Sequence, residues 1–198
     1  MKIFLTTCCF IVLVGCRQQT ENKVVEQPVE QLVQQEEKEV SVAPTSEEKD
    51  EILAVIEGLD NRSFPLADST NFDNVDKKGI HNPDFLKRIH FEADEVNFKD
   101  VRLRYRLHYS PAYYSIVLTY PLGEHEIITT LLNINKEGKI IDFLDIAYDE
   151  IAESAFRKES VMEKDRVVLT DWNYMSEVPT KTVTNYLLTS EGRFEEAS

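Results

Sequence analysis

Val101-Arg102-Leu103-Arg104-Tyr105-Arg106-Leu107-His108-Tyr109 decides the fold class of this chain. Val101, Leu103, Tyr105, Leu107 and Tyr109 alternate without a miss against Arg102, Arg104, Arg106 and His108, the two-residue period of a half-buried strand. Six further strand candidates follow: Tyr113 to Tyr120, Glu126 to Asn135, Lys139 to Tyr148, Ser154 to Met162, Arg166 to Met175 and Thr182 to Thr189. Turn residues separate several of them, namely Pro121-Leu122-Gly123, Lys136-Glu137-Gly138 and Glu191-Gly192. Consecutive strands with short joints are most simply antiparallel neighbours. The expectation is an α+β fold, mainly an antiparallel β meander of about seven strands.

N-terminal to this region the period changes. Ile52, Val55, Ile56 and Leu59 recur at helical spacing behind Thr45 and Glu48, a capping-box pair, with Gly58 as the stop. This predicts one amphipathic N-terminal helix packed on the sheet. Residues 60–99 are polar and irregular, apart from a helix start at Asn82-Pro83-Asp84. A connection that long tends to be functional or poorly ordered, which makes it a candidate site region. No Pro/Gly break splits residues 47–198, so they are expected to form a single β-rich globular domain.

The chain has 22 Lys and Arg against 36 Asp and Glu, a formal net charge of −14. Such an acidic surface repels nucleic acid and anionic membranes. It is compatible with plain solubility or with a cationic partner. Residues 17–46 hold six Gln, six Glu and six Val and no aromatic residue, too little apolar surface to offset the entropy of ordering. Residues 16–46 are therefore expected to be a disordered tether.

Met1-Lys2 precedes an apolar run of about a dozen residues, too short to span a bilayer, where about 20 are needed. The run ends in Leu13-Val14-Gly15-Cys16, which closely resembles the lipobox of bacterial lipoproteins, the type II signal peptide. The resemblance implies that residues 1–15 are a signal peptide, that cleavage precedes Cys16, and that its sulfur carries diacylglycerol. Cys8 and Cys9 leave with that segment, so no free thiol or disulfide remains for chemistry. Arg17-Gln18 lack the Asp that resembles an inner-membrane retention signal in enterobacteria, which implies the outer membrane of the cell envelope. The body of the chain is similar, in general style only, to small uncharacterised lipoproteins of Bacteroidetes.

Several constellations carry possible chemistry. Arg102, Arg104, Arg106 and His108 would stand ~6.6 Å apart in one line on an ideal strand, a geometry that suits an anionic or acidic partner. The same residues would equally pair with acids on neighbouring strands. Asp68-Ser69-Thr70 resembles the O-glycosylation acceptor of exported Bacteroidetes proteins, which implies a glycan on Ser69. The acids from Asp68 to Asp76 and from Asp142 to Glu153 match no EF-hand spacing, and no metal or cofactor is expected. His81, His90, His108 and His125 are isolated, and the chain has no nucleophile elbow, phosphate loop or dinucleotide fingerprint. Trp172, Tyr174, Tyr113, Tyr114 and Tyr120 are read as packing residues.

The reading that follows is a non-enzymatic envelope lipoprotein that reaches the membrane through its N-terminal lipid and binds a small molecule or protein. An immunity or inhibitor lipoprotein facing a cationic toxin is the alternative. A hydrolase of envelope polymers stands third.

Overall fold

The first described element is α1 (Ser46–Glu57), and its start is fixed by chemistry visible in the sequence. The Glu48 backbone N–H donates to the Thr45 hydroxyl, and the Thr45 N–H donates back to the Glu48 carboxylate at 2.7 Å. The structure is a computed structural model that describes residues 45–75, 79–92, 96–151 and 155–197. Cys16, the signal segment and the tether through residue 44 lie outside the described residues. A second helix, α2 (Pro83–Arg88), uses Asn82 as its cap and Pro83 as its first residue. This second helix begins where the Asn82-Pro83-Asp84 start placed it, beside the N-terminal helix. None of the described helices is long and apolar enough to cross a membrane.

The rest of the described residues is mostly sheet, and among them the strands number ten rather than seven: β1 (Asn61–Arg62), β2 (Leu66–Asp68), β3 (Arg102–Leu107), β4 (Tyr113–Leu122), β5 (Glu126–Asn135), β6 (Ile140–Glu150), β7 (Phe156–Met162), β8 (Arg166–Asn173), β9 (Thr180–Leu188) and β10 (Phe194–Glu196). From β3 to β10 each strand runs antiparallel to the next. The additional strands β1, β2 and β10 have two or three residues each, too few to show any period.

Both faces of the central strands are buried. Leu131 and Leu132 are neighbours on β5 whose side chains point to opposite faces, yet neither touches solvent. Leu132 packs with Ile134, Ile116 and Leu118 and with Ile52, Ile56 and Leu86 from the helices. Leu131 packs with Val117 and Ile146 and with Met162, Val167 and Leu169 of β7 and β8. The sheet therefore folds back on itself, and its second half covers the inner face of its first. The corner lies between β6 and β7, which pair only at Tyr148↔Lys158 and Asp149↔Arg157. Beyond that point β2 takes over the free edge of β7, with Leu66↔Met162 and Asp68↔Ser160.

Side chains pin the fold-back. The buried Asn133 amide donates to the Gly192 carbonyl at 2.8 Å, and the Phe194 N–H donates to Asp142 at 2.9 Å. Gly138, in the β5–β6 turn, has φ 81°, and a Cβ there would sit 2.6 Å from the Ile52 side chain. The turn demands glycine both for its backbone and for its neighbour.

Candidate functional site

The arginine row does not survive as a row. The register of β3 on β4 shifts between Leu103, opposite Leu118, and Tyr105, opposite Val117. Arg104 is the extra residue of a bulge, and after it the strand presents its residues to the other face. Arg102 lies opposite Thr119 and Arg106 opposite Ile116, which are odd and even residues of β4 and so face opposite sides. The equal-spaced line of guanidiniums expected from the alternation is thus corrected. Arg106 donates from Nε to the Leu59 carbonyl just past α1, a structural contact. Arg102 is half-buried. Arg104 and His108 are left to line cavities.

Those cavities flank the segment from Asn61 to Asp68. This strap starts at the edge of β3, where β1 pairs in parallel as Asn61↔Arg106 and Arg62↔Leu107. It ends on β7 through β2. On one side lies a cleft of about 330 Å³ lined by Leu59, Asp60, Arg62, Asp68, Arg104 and Tyr105. On the other lies a more open hollow of about 600 Å³ lined by Arg62, Phe64, His108 and Lys164 among others. Arg62 borders both.

The floor of the cleft is a closed polar network. Asp68 is buried, and its Oδ2 accepts from the Tyr105 hydroxyl at 2.7 Å. Its Oδ1 accepts from the Thr70 hydroxyl at 2.6 Å and from the Thr70 N–H at 3.0 Å. Burial pushes the Tyr105 phenol well above its ordinary range, and the Asp68 charge pushes it further, so it stays a donor at physiological pH. Ser160 faces Asp68 in register, is buried, and has no hydrogen-bond partner for its hydroxyl among the described residues.

With Asp68 engaged by three donors, the arginines supply the hydrogen-bonding capacity of the cleft. A guanidinium carries five N–H donors. Arg104 gives one to the Thr119 hydroxyl, at 3.3 Å. Arg62 lies over the Tyr105 ring at 5.8 Å and reaches Asp60 only at 3.9 Å. Gly79 allows the wall to close: its φ is 123°, and a Cβ would meet the Leu103 carbonyl at 2.8 Å.

The other singled-out residues are placed apart from the cleft or serve structure. Ser69 is exposed between the buried Asp68 and Thr70, and its carbonyl accepts from Asn74. Asp142, Asp145 and Asp149 accept from the Phe194 N–H, the Thr130 hydroxyl and the Phe72 N–H, tying distant segments together. Among the described residues no three His, Cys, Asp or Glu come together as a metal site. The His81 ring lies 3.0 Å from the Val101 carbonyl. Tyr113 and Tyr120 are buried, whereas Trp172 and Tyr174 stack on each other at 6.0 Å.

Arg62, Asp60 and Tyr105 were not singled out by the local sequence as site residues, and Asp68 was singled out for a different reason, the Asp68-Ser69-Thr70 motif. The only available signal was the length of the irregular 60–99 region, which contributes most of the lining. No family model, no curated protein and no solved structure matches the chain.

Proposed function

We propose that the chain is a lipid-anchored protein of the cell envelope whose β-rich domain binds an anionic ligand, bearing carboxylate or phosphate groups, in the cleft between the strap and β3. The observation that carries this reading is the placement of Arg62 and Arg104 over a floor whose one carboxylate is already satisfied. A guanidinium with spare donors in a half-enclosed site recognises planar oxyanions, and the surrounding low dielectric strengthens each contact. The second hollow adds the Lys164 ammonium and the His108 ring, with Glu163 also in its lining, so a ligand with two separated anionic groups can span from Arg104 across Arg62 to Lys164. Asp68 and Tyr105 hold the site open and contribute no free nucleophile or base, which favours binding over catalysis. Lipidation at Cys16 supplies the membrane attachment, and α1 serves as a cover on the outer face of the sheet through Ile52 and Ile56.

Calorimetric titration with citrate and with pyrophosphate tests the cleft. At least one probe should bind, more weakly as salt rises, and Arg62→Gln with Arg104→Gln should lower its affinity by about tenfold or more. Silence from both probes, or binding indifferent to the double change, overturns the reading. For the anchor, fatty-acid labelling of wild-type cells should mark the protein and fail with Cys16→Ser. Unlabelled wild-type protein would reject lipidation.

A further inference from the structure

The turns at the two ends of the rolled sheet differ in character. One end carries the β5–β6, β7–β8 and β9–β10 turns, whose residues include Lys136, Glu137, Glu163, Lys164, Asp165 and Glu191. The other end carries the β4–β5, β6–β7 and β8–β9 turns, held together by Ile151 N–H donating to the His125 carbonyl and Tyr174 N–H donating to the Ala155 carbonyl. Of ten large hydrophobics exposed among the described residues, five lie at this second end: Ile151, Phe156, Tyr174, Met175 and Val178. Met175 and Val178 are the most exposed of all, at 65% and 73%. Exposed apolar side chains gathered on adjacent turns mark a contact surface.

The geometry points to a lipid bilayer as the occupant: we propose that this end of the domain inserts shallowly into the membrane interface. The order of residue types along the β8–β9 connection favours lipid over a protein partner. Met175 and Val178 lie in the connection between β8 and β9, Tyr174 before them stacks on Trp172, and Trp172 pairs across the strands with Lys181, whose ammonium is 5.3 Å from its ring. Aliphatic residues just beyond an aromatic pair and a lysine fit an interfacial element inserted by ~5–10 Å, where Trp and Tyr sit at headgroup level and Lys snorkels outward. Glu177, between Met175 and Val178, and Glu124 are exposed at the same end, so the bilayer this end suits is zwitterionic rather than anionic.

The inference rests on the lipid-anchor reading only for keeping the domain near the bilayer. Residues 17–44 span ~90 Å when extended, against ~33 Å for a ten-residue strand, so an anchored domain can bring this end to the surface.

Trp172 is the only tryptophan of the chain, so its emission reports this surface alone. The acylated protein would be reconstituted in phosphatidylcholine vesicles bearing acyl chains brominated near the headgroup. Trp172 emission should shift to the blue and be quenched. Met175→Glu with Val178→Glu should lose the quenching while the protein still sediments with the vesicles. The unacylated mature chain, carrying Cys16→Ser, should bind the same vesicles, and Met175→Glu with Val178→Glu should weaken that binding about tenfold or more. Ile151→Glu with Phe156→Glu, a second variant checked for native near-UV dichroism, should also reduce the quenching. Sedimenting wild-type protein with unquenched Trp172 overturns the proposal, including the case in which this end instead captures a protein. Protein that fails to sediment for lack of an acyl group indicts the anchor alone, and the unacylated chain then decides the membrane contact.

Discussion

Leu131→Ala and Leu132→Ala are each expected to lower stability by about 2–5 kcal/mol. The two residues are adjacent on β5, so their side chains point to opposite faces of the sheet, and both are fully buried. Leu132→Ala opens a cavity against Ile134, Leu118 and the helix residues Ile56 and Leu86. Leu131→Ala opens one against Val117, Ile146, Met162 and Leu169, on the inside of the fold-back. A meander with one solvated face would make one of these changes severe and leave the other within about 0.5 kcal/mol of wild type. Urea unfolding at constant m value separates the cases. One strongly destabilising and one neutral change would mean that the sheet does not roll over.

That double burial was hard to read from the chain. β5 as a sequence, Glu126-Ile127-Ile128-Thr129-Thr130-Leu131-Leu132-Asn133-Ile134-Asn135, shows runs rather than alternation, the mark of a strand covered on both sides. The cover comes from β7 and β8, some thirty to forty residues later, and no local pattern states that pairing. Local chemistry fared better. The Thr45–Glu48 capping box, the Asn82-Pro83 helix start and the glycine turns at 138 and 192 all depend on neighbours within a few residues, and all are legible. The alternation of β3 was visible too, but the bulge at Arg104 was not. A bulge is a property of two strands in register, and Val101 to Tyr109 looks the same with or without it.

The cleft shows the same division. Arg104 and His108 stood out because three arginines and a histidine on one strand are unusual in so acidic a chain. Arg62 looked like an ordinary loop residue, and Asp68 stood out only for the acceptor motif and acid run around it, because their roles in the cleft come from a strap that joins β3 to β7 across about a hundred residues of sequence. Asp68 and Tyr105, the pair that builds the floor, are 37 residues apart. A contact of that separation is fixed by topology, and residue spacing does not reveal it.

Asp68→Ala should be the most damaging single polar change, lowering stability by about 3–5 kcal/mol. The carboxylate satisfies the Tyr105 hydroxyl, the Thr70 hydroxyl and the Thr70 N–H, and its removal strands all of them in a buried site. Tyr105→Phe removes one donor and leaves Asp68 its two bonds to Thr70, so its effect should be smaller, about 1.5–3 kcal/mol for a bond to a charged acceptor. Because the changes share one hydrogen bond, the double variant should cost less than the sum of the singles. Asp68→Asn separates the network from the cleft above it. The amide keeps an acceptor oxygen but turns an NH₂ toward Thr70 or Tyr105, so stability should fall. Removing the one buried negative charge beneath Arg62 and Arg104 should meanwhile leave citrate or pyrophosphate binding unchanged or tighter. Thermal or chemical unfolding beside titration of the anion reads both signs on one protein. An Asp68→Ala protein within about 1 kcal/mol of wild type would show that the floor network is not closed. An Asp68→Asn protein that folds but loses its anion would place the carboxylate itself in the recognition.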